Sequence, residues 1–161
     1  MLIRVAHPGD AAGACETMRR SIVELCSSDH RDDRAILDRW LSNKTPDSVA
    51  AWIADKDNRL FVAVEQGRVL AVGAVRTDGE ITLNYVSPDA RFRGVSRAML
   101  ARLEATARDL GNDAVRLVST ETALRFYLSA GYRQIGPPQG KFGTTSSWPM
   151  RKELPPVGER S

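Results

Sequence analysis

The sequence predicts a single α/β domain built around a mixed sheet, and three observations predict it. Apolar residues recur at helical spacing over residues 11–26 and again over 95–110, whereas short alternating or continuous apolar runs fill 60–86. Those runs are broken at Gln66-Gly67 and at Thr77-Asp78-Gly79, as in hairpins. Twice after that, a strand runs directly into a helix through a polar junction, once around Gly94 and once at Thr120. With 161 residues the chain is large enough for one core, which is placed in a domain over 1–154, with 155–161 a frayed C-terminal tail.

Residues 2–6 form the first strand, and Pro8 with Asp10 opens a helix over 11–26 with Ala14, Met18, Ile22 and Leu25 on one face. A polar break over 27–33 follows. A second helix spans 34–41 and a third begins at Thr45 or Pro46 and runs to Ala54, proline being suited to a first helical turn. Strands are expected over 60–65, 69–76 and 80–86. The helix over 95–110 presents Met99, Leu103, Ala107 and Leu110 to a core and stops at Gly111. A strand over 115–119 leads to Thr120, which can cap a helix running to Ala130, with Glu121 in its first turn and Gly131 closing it. A terminal strand pair over 132–135 and 147–153 brackets a loop rich in glycine and proline.

Charge and composition exclude several classes. No stretch approaches the roughly 18 apolar residues of a membrane span, and the polar N-terminus around His7, Gly9 and Asp10 has no signal-peptide core, so a cytoplasmic protein is expected. The net charge of +3 suits an anionic ligand, but the arginines are scattered and aromatic residues make up only 6%, so nucleic acid is not the expected partner. Cys15 and Cys26 lie on one helical face and read as reduced packing residues; no cysteine and histidine cluster has metal-ligand spacing, so no metal is expected.

The most informative segment is Tyr85-Val86-Ser87-Pro88-Asp89-Ala90-Arg91-Phe92-Arg93-Gly94-Val95-Ser96-Arg97. A strand ends at a proline turn, passes a basic loop containing glycine, and feeds a helix. The first N–H groups of a helix lack intrahelical partners and lie at the positive end of its dipole, which makes such a junction an anion site. Gly94 removes the Cβ that would block a ligand from the backbone, and Arg91, Arg93 and Arg97 add positive charge. An ordinary basic strand-to-helix turn has the same composition.

From Arg91 to Ser96 the spacing R-x-x-G-x-S resembles the pyrophosphate loop of the GCN5-related N-acetyltransferase (GNAT) family, commonly (Q/R)-x-x-G-x-(G/A), with Ser96 departing from the usual small residue. The later run Thr120-Glu121-Thr122-Ala123-Leu124-Arg125-Phe126-Tyr127-Leu128-Ser129-Ala130-Gly131-Tyr132 resembles that family's N-x-x-A-x-x-F-Y-x-x-x-G-(F/Y), with Thr120 in place of asparagine. The resemblance implies the acyl-CoA N-acyltransferase fold: a mostly antiparallel central sheet, splayed between its fourth and fifth strands and flanked by helices. It implies acetyl-CoA as acyl donor, with its pyrophosphate on Arg91, Phe92, Arg93, Gly94, Val95, Ser96 and Arg97. The pantetheine arm would run beside Asn84, Tyr85 and Val86, with Thr120 and Phe126 completing the cofactor site.

Under the same resemblance Tyr127 is the general acid for the departing thiolate, the alternative being a packing residue, and Glu80 is the candidate base, with a water chain as its rival. The acceptor, a primary amine of a small molecule, amino acid or peptide, is assigned to Asp29, His30 and Trp148, with Trp40, Tyr85 and Phe142 as further candidates. Asp29-His30 in a polar break is equally readable as solvated, and the tryptophans as core. Two other readings stay open: a catalytically weak acyl-CoA-binding regulatory module, and a toxin-type acetyltransferase acting on aminoacyl-tRNA. Assembly as a homodimer is compatible with either.

Overall fold

The computed structural model describes residues 1–140 and 147–156. Its strands are β1 (Leu2–Val5), β2 (Asn58–Glu65), β3 (Arg68–Arg76), β4 (Ile81–Val86), β5 (Ala114–Thr120), β6 (Arg133–Gln134) and β7 (Ser147–Glu153). Its helices are α1 (Ala11–Leu25), α2 (Ser27–His30), α3 (Arg34–Leu41), α4 (Pro46–Ala54), α5 (Val95–Asp109) and α6 (Leu124–Ser129). The frayed tail expected over 155–161 falls mostly outside the described residues.

The first four strands form an antiparallel sheet in the order β1-β2-β3-β4, and the last three form a second sheet in the order β5-β7-β6. The two sheets touch at one parallel bridge, Glu80 to Arg116, where the Arg116 N–H donates to the Gly79 carbonyl at 3.1 Å. Beyond that bridge β4 and β5 diverge, and each is an edge of its own sheet. The splay between the fourth and fifth strands is therefore present as expected.

Alternation along the strands sorts the core onto two faces. Leu60, Val62, Val72 and Ala74 pack with Ala14 and Met18 of α1 and Val49 of α4. Phe61, Ala63 and Val75 face the other way, onto Met99, Leu103 and Ala107 of α5. The helical faces read from the sequence are the buried ones, except that Leu25 and Leu110 are only half-buried. Gly73 faces α5, and a Cβ there would lie 2.7 Å from the sulfur of Met99, so glycine sets how closely α5 approaches the sheet.

The structure differs from the sequence reading at two local points. The polar break over 27–33 contains the helical turn α2, and its Asp29 and His30 are buried at 2% and 0% exposure. The helix expected directly after Thr120 begins at Leu124, three residues of turn intervening. Ala123 is therefore the residue before the helix and carries no side-chain cap, and Thr120 Oγ1 instead closes the intervening turn by accepting from the N–H of Ala123 at 3.1 Å.

Candidate active site

The site begins with an irregularity in β4. Leu83 pairs with Ala74 and Ile81 with Val75, so Thr82 is an extra, bulged residue. The bulge turns both Ile81 and Asn84 toward the α5 face, where regular alternation would have separated them. It also leaves Tyr85 on the opposite face, beside Trp40. Past the bridge at Glu80, the β4 edge facing β5 has no strand partner, so its backbone N–H and C=O groups border the gap.

A groove of about 520 Å³ runs along this edge from the gap to the start of α5. Asn84, Tyr85, Val86, Thr120, Phe126 and Tyr127 line one part of it. Arg91, Phe92, Gly94, Val95, Ser96 and Arg97 line the other. Gly94 is the residue before α5 and sits in the left-handed region at φ 77°, where a Cβ is strained. This conformation turns the chain so that the first N–H groups of α5 open onto the groove. Of the loop arginines, Arg93 is held by Glu65 at 2.7 Å, whose carboxyl is lowered by that contact. Arg91 stacks over the exposed ring of Phe92 at 4.6 Å. Eleven of the twelve predicted cofactor residues thus line one groove with Tyr127, Phe92 standing at its mouth at 93% exposure, and Arg93 alone turns from it toward a carboxylate.

Tyr127 is 6% exposed and packs edge-on against Phe126 and Tyr132, with centroids 5.2 and 5.4 Å away. Its hydroxyl accepts a hydrogen bond from the side-chain amide of Asn84 at 2.9 Å. Because the amide is the donor, the phenolic proton is left for another acceptor. Burial pushes the phenol up to about 12, the Asn84 contact opposing it only in part, so the group is a protonated acid at neutral pH.

A second cavity of about 300 Å³ lies on the other side of β4, against α2, α3 and α4. Its wall carries Trp40, Lys44, Trp52, Asp55, Asn58 and Arg76. The two cavities share Thr82, Leu83, Tyr85, Val118 and Thr120, all on β4 or β5 at the gap. Lys44, Trp52, Asp55, Asn58 and Arg76 were missed in the sequence. They come from three stretches, Lys44, 52–58 and Arg76, with no shared motif, and only the tertiary packing around α4 and β2 assembles them.

Not all of the acceptor and base candidates reach the two cavities. His30 lines neither cavity: its Nε2 donates to the Ile22 carbonyl at 2.9 Å and its Nδ1 accepts from the Asp32 N–H at 2.9 Å, so both ring nitrogens are occupied. Asp29 does border the second cavity, but its carboxylate is engaged by the N–H groups of Glu121 at 2.7 Å and Thr122 at 3.2 Å and by the Thr122 hydroxyl. Trp148 packs against the α5-side core and donates from Nε1 to Glu121 at 2.9 Å. Phe142 lies outside the described residues. Glu80 sits at the closed end of the splay, 3.6 Å from Arg116 and lining neither cavity, because the bridge that joins the sheets holds it there. Cys15 and Cys26 are buried free thiols; burial raises both, Cys26 to about 12, which removes them as nucleophiles. Among the described residues no group of histidine, cysteine, aspartate and glutamate could hold a metal ion, and no helix is long and apolar enough to cross a membrane.

The model of the acetyltransferase (GNAT) domain matches residues 26–154. The chain belongs to the GNAT family. Its fold is also that of solved GNAT structures. A GCN5-related N-acetyltransferase from Rhodopseudomonas palustris superposes with a TM-score of 0.83 at 22% identity, covering 95% of each chain. The PaiA N-acetyltransferase of Thermoplasma acidophilum, solved with coenzyme A, gives 0.82 at 15% identity over 95% of this chain and 98% of its own. YncA of Salmonella typhimurium, solved with acetyl-CoA, gives 0.73 at 22% identity over 100% and 98%.

Proposed function

We propose that the chain is a cytoplasmic N-acetyltransferase that moves an acetyl group from acetyl-CoA to the primary amine of a small molecule, amino acid or peptide, by direct attack in a ternary complex. One observation carries this reading: two cavities on opposite faces of β4 share five residues at the gap, with the Tyr127 hydroxyl on the groove side. The donor's thioester and the acceptor's nitrogen can then meet without either leaving its own cavity. Solved neighbours with coenzyme A or acetyl-CoA support the choice of donor. The two buried free thiols suit a reducing compartment.

The residues fit that donor. The N-terminus of α5 and the guanidinium groups of Arg91 and Arg97 offer donors and charge to a pyrophosphate, and the unpaired β4 edge offers a backbone ladder to the amide arm. A backbone N–H of that edge would donate to the thioester oxygen as it gains negative charge, favouring the transition state. The amine nitrogen bonds to the carbonyl carbon, the carbon–sulfur bond breaks, and the Tyr127 hydroxyl gives its proton to the thiolate. The amine's own proton leaves to water at the rim of the acceptor cavity, where Asp55 and Arg76 are about two-fifths exposed. Glu80 is placed poorly for that step.

The test is release of free thiol from acetyl-CoA against a panel of amines, amino acids and peptides. Turnover with some members, at a rate set by both substrates and without an acetylated protein intermediate, is expected. Tight acetyl-CoA binding with no turnover on any amine would leave a binding module instead.

A further inference from the structure

We propose that Asp29 is a positioning residue for the acid Tyr127, acting through the turn that joins β5 to α6; this rests on the catalytic reading above. Asp29 lies on α2, more than ninety positions before the groups it binds, and is 2% exposed. Its Oδ1 accepts from the Glu121 N–H at 2.7 Å, and its Oδ2 accepts from the Thr122 N–H at 3.2 Å and from the Thr122 hydroxyl. Both oxygens are therefore committed, and by donors from a single turn.

That turn has little else to define it. The N–H groups of Glu121 and Thr122 fall between the end of β5 and the start of α6, where neither a ladder nor a helix supplies an acceptor. Thr120 Oγ1 caps the next N–H, that of Ala123, at 3.1 Å. From Ala123 onward the helical bonds take over, the Tyr127 N–H donating to the Ala123 carbonyl at 3.1 Å. Asp29 and Thr120 together thus fix the three N–H groups that set where α6 begins, and with it the height of Tyr127 above Asn84. A carboxylate suits the task better than an amide, because it presents two accepting oxygens and no donor to a cluster made only of donors.

The same bonds argue against Asp29 as the general base, although it borders the acceptor cavity. Its two oxygens already accept three bonds from the turn, and they are oriented by those donors rather than toward an amine. Asp29 thereby ties the acceptor-cavity wall on α2 to the turn that leads into α6.

The experiment uses the whole chain with an amine that the panel above identifies, and compares Asp29→Asn, Thr122→Val and Tyr127→Phe with the double variants. Asp29→Asn keeps the shape and replaces one acceptor with a donor; Thr122→Val removes the hydroxyl from the other side and leaves both N–H bonds. Stabilisation by coenzyme A reports whether each variant is folded. The expected result is a fall in kcat of up to about 10²-fold in Asp29→Asn, as for a displaced catalytic group, with a smaller fall in Thr122→Val. The acetyl-CoA KM and the shape of the pH–rate profile should stay as in the wild type. Asp29→Asn combined with Tyr127→Phe should be no slower than Tyr127→Phe alone, because both act on one proton transfer.

Additive losses in the double variant would overturn the positioning role, as would a wild-type kcat in Asp29→Asn. Loss of the low-pH limb in Asp29→Asn would overturn it too and make Asp29 the base. A wild-type rate in Tyr127→Phe would remove the acid itself, and the role of Asp29 with it, while slow Tyr127→Phe with additive Asp29→Asn removes only the latter.

Discussion

The side-chain amide of Asn84 donates to the hydroxyl of Tyr127 at 2.9 Å across the β4–α6 interface. Two residues from segments far apart in the chain are locked together, and the direction of the bond matters for chemistry. Since the phenol oxygen is the acceptor, its proton is free to point along the groove. Asn84 thus orients the phenol without consuming its proton.

Tyr127→Phe removes that proton and keeps the ring packed between Phe126 and Tyr132. Acetyl-CoA affinity should persist while kcat falls by about 10²-fold, the usual scale for a lost general acid. Single-turnover rates check this, because they exclude product release. A rate equal to the wild type would make Tyr127 a packing residue.

Glu80→Gln should change the rate little at any pH. The carboxylate is held at the closed end of the splay near Arg116 and reaches neither cavity. If kcat/KM of the variant collapses at low pH, where an amine most needs a base, the proton route through water is wrong.

Cofactor binding should stabilise the fold and depend on Gly94. At a hundredfold excess over the dissociation constant, acetyl-CoA should add about 2.7 kcal/mol, a melting shift of roughly 5 to 10 °C. Gly94→Val adds a Cβ with nothing within 4 Å, so the fold should survive, but at φ 77° a branched residue is strained. The cost is about 1–2 kcal/mol, or about tenfold in affinity, if binding requires that conformation. Calorimetry of the two proteins decides; equal affinities would place the pyrophosphate elsewhere.

Alkaline pH should unfold the protein cooperatively. Tyr127 is pushed up to about 12 by burial, and Tyr85 and Tyr132 are raised in the same sense, Tyr132 also by its bond to Glu104. Above the ordinary phenol value of about 10 the unfolded chain loses its proton while the folded chain keeps it. Each such tyrosine therefore adds stability that is fully present below about pH 10 and is lost between there and its folded value. For Tyr127 this is about 3 kcal/mol. A phenolate titration that coincides with loss of secondary structure is expected; tyrosines ionising near pH 10 in the folded protein would contradict it.

The sequence by itself determined the elements and the groove. Helical and strand periodicities are local, and so are the turn at Gly67, the anion loop around Gly94 and the run from Thr120 to Tyr132. Each is set by steric and hydrogen-bonding preferences within a few residues, which is why both motifs were readable and why eleven of the assigned cofactor residues line one groove. What only the tertiary structure decided are the relations across β4. Whether Asn84 faces Tyr127 depends on a one-residue bulge at Thr82, which a strand pattern does not display, since a single extra residue reverses every face beyond it. Asp29 and His30 read as acceptor-binding or solvated residues because their partners, a turn more than ninety positions later and the end of α1, exist only once the chain has closed. The position of Glu80 was hidden for the converse reason: its place before the strand is local, but the bridge to Arg116, between two separate sheets, holds it at the closed end of the gap. Local chemistry is written along the chain, whereas the satisfaction of a buried polar group depends on which distant donor reaches it.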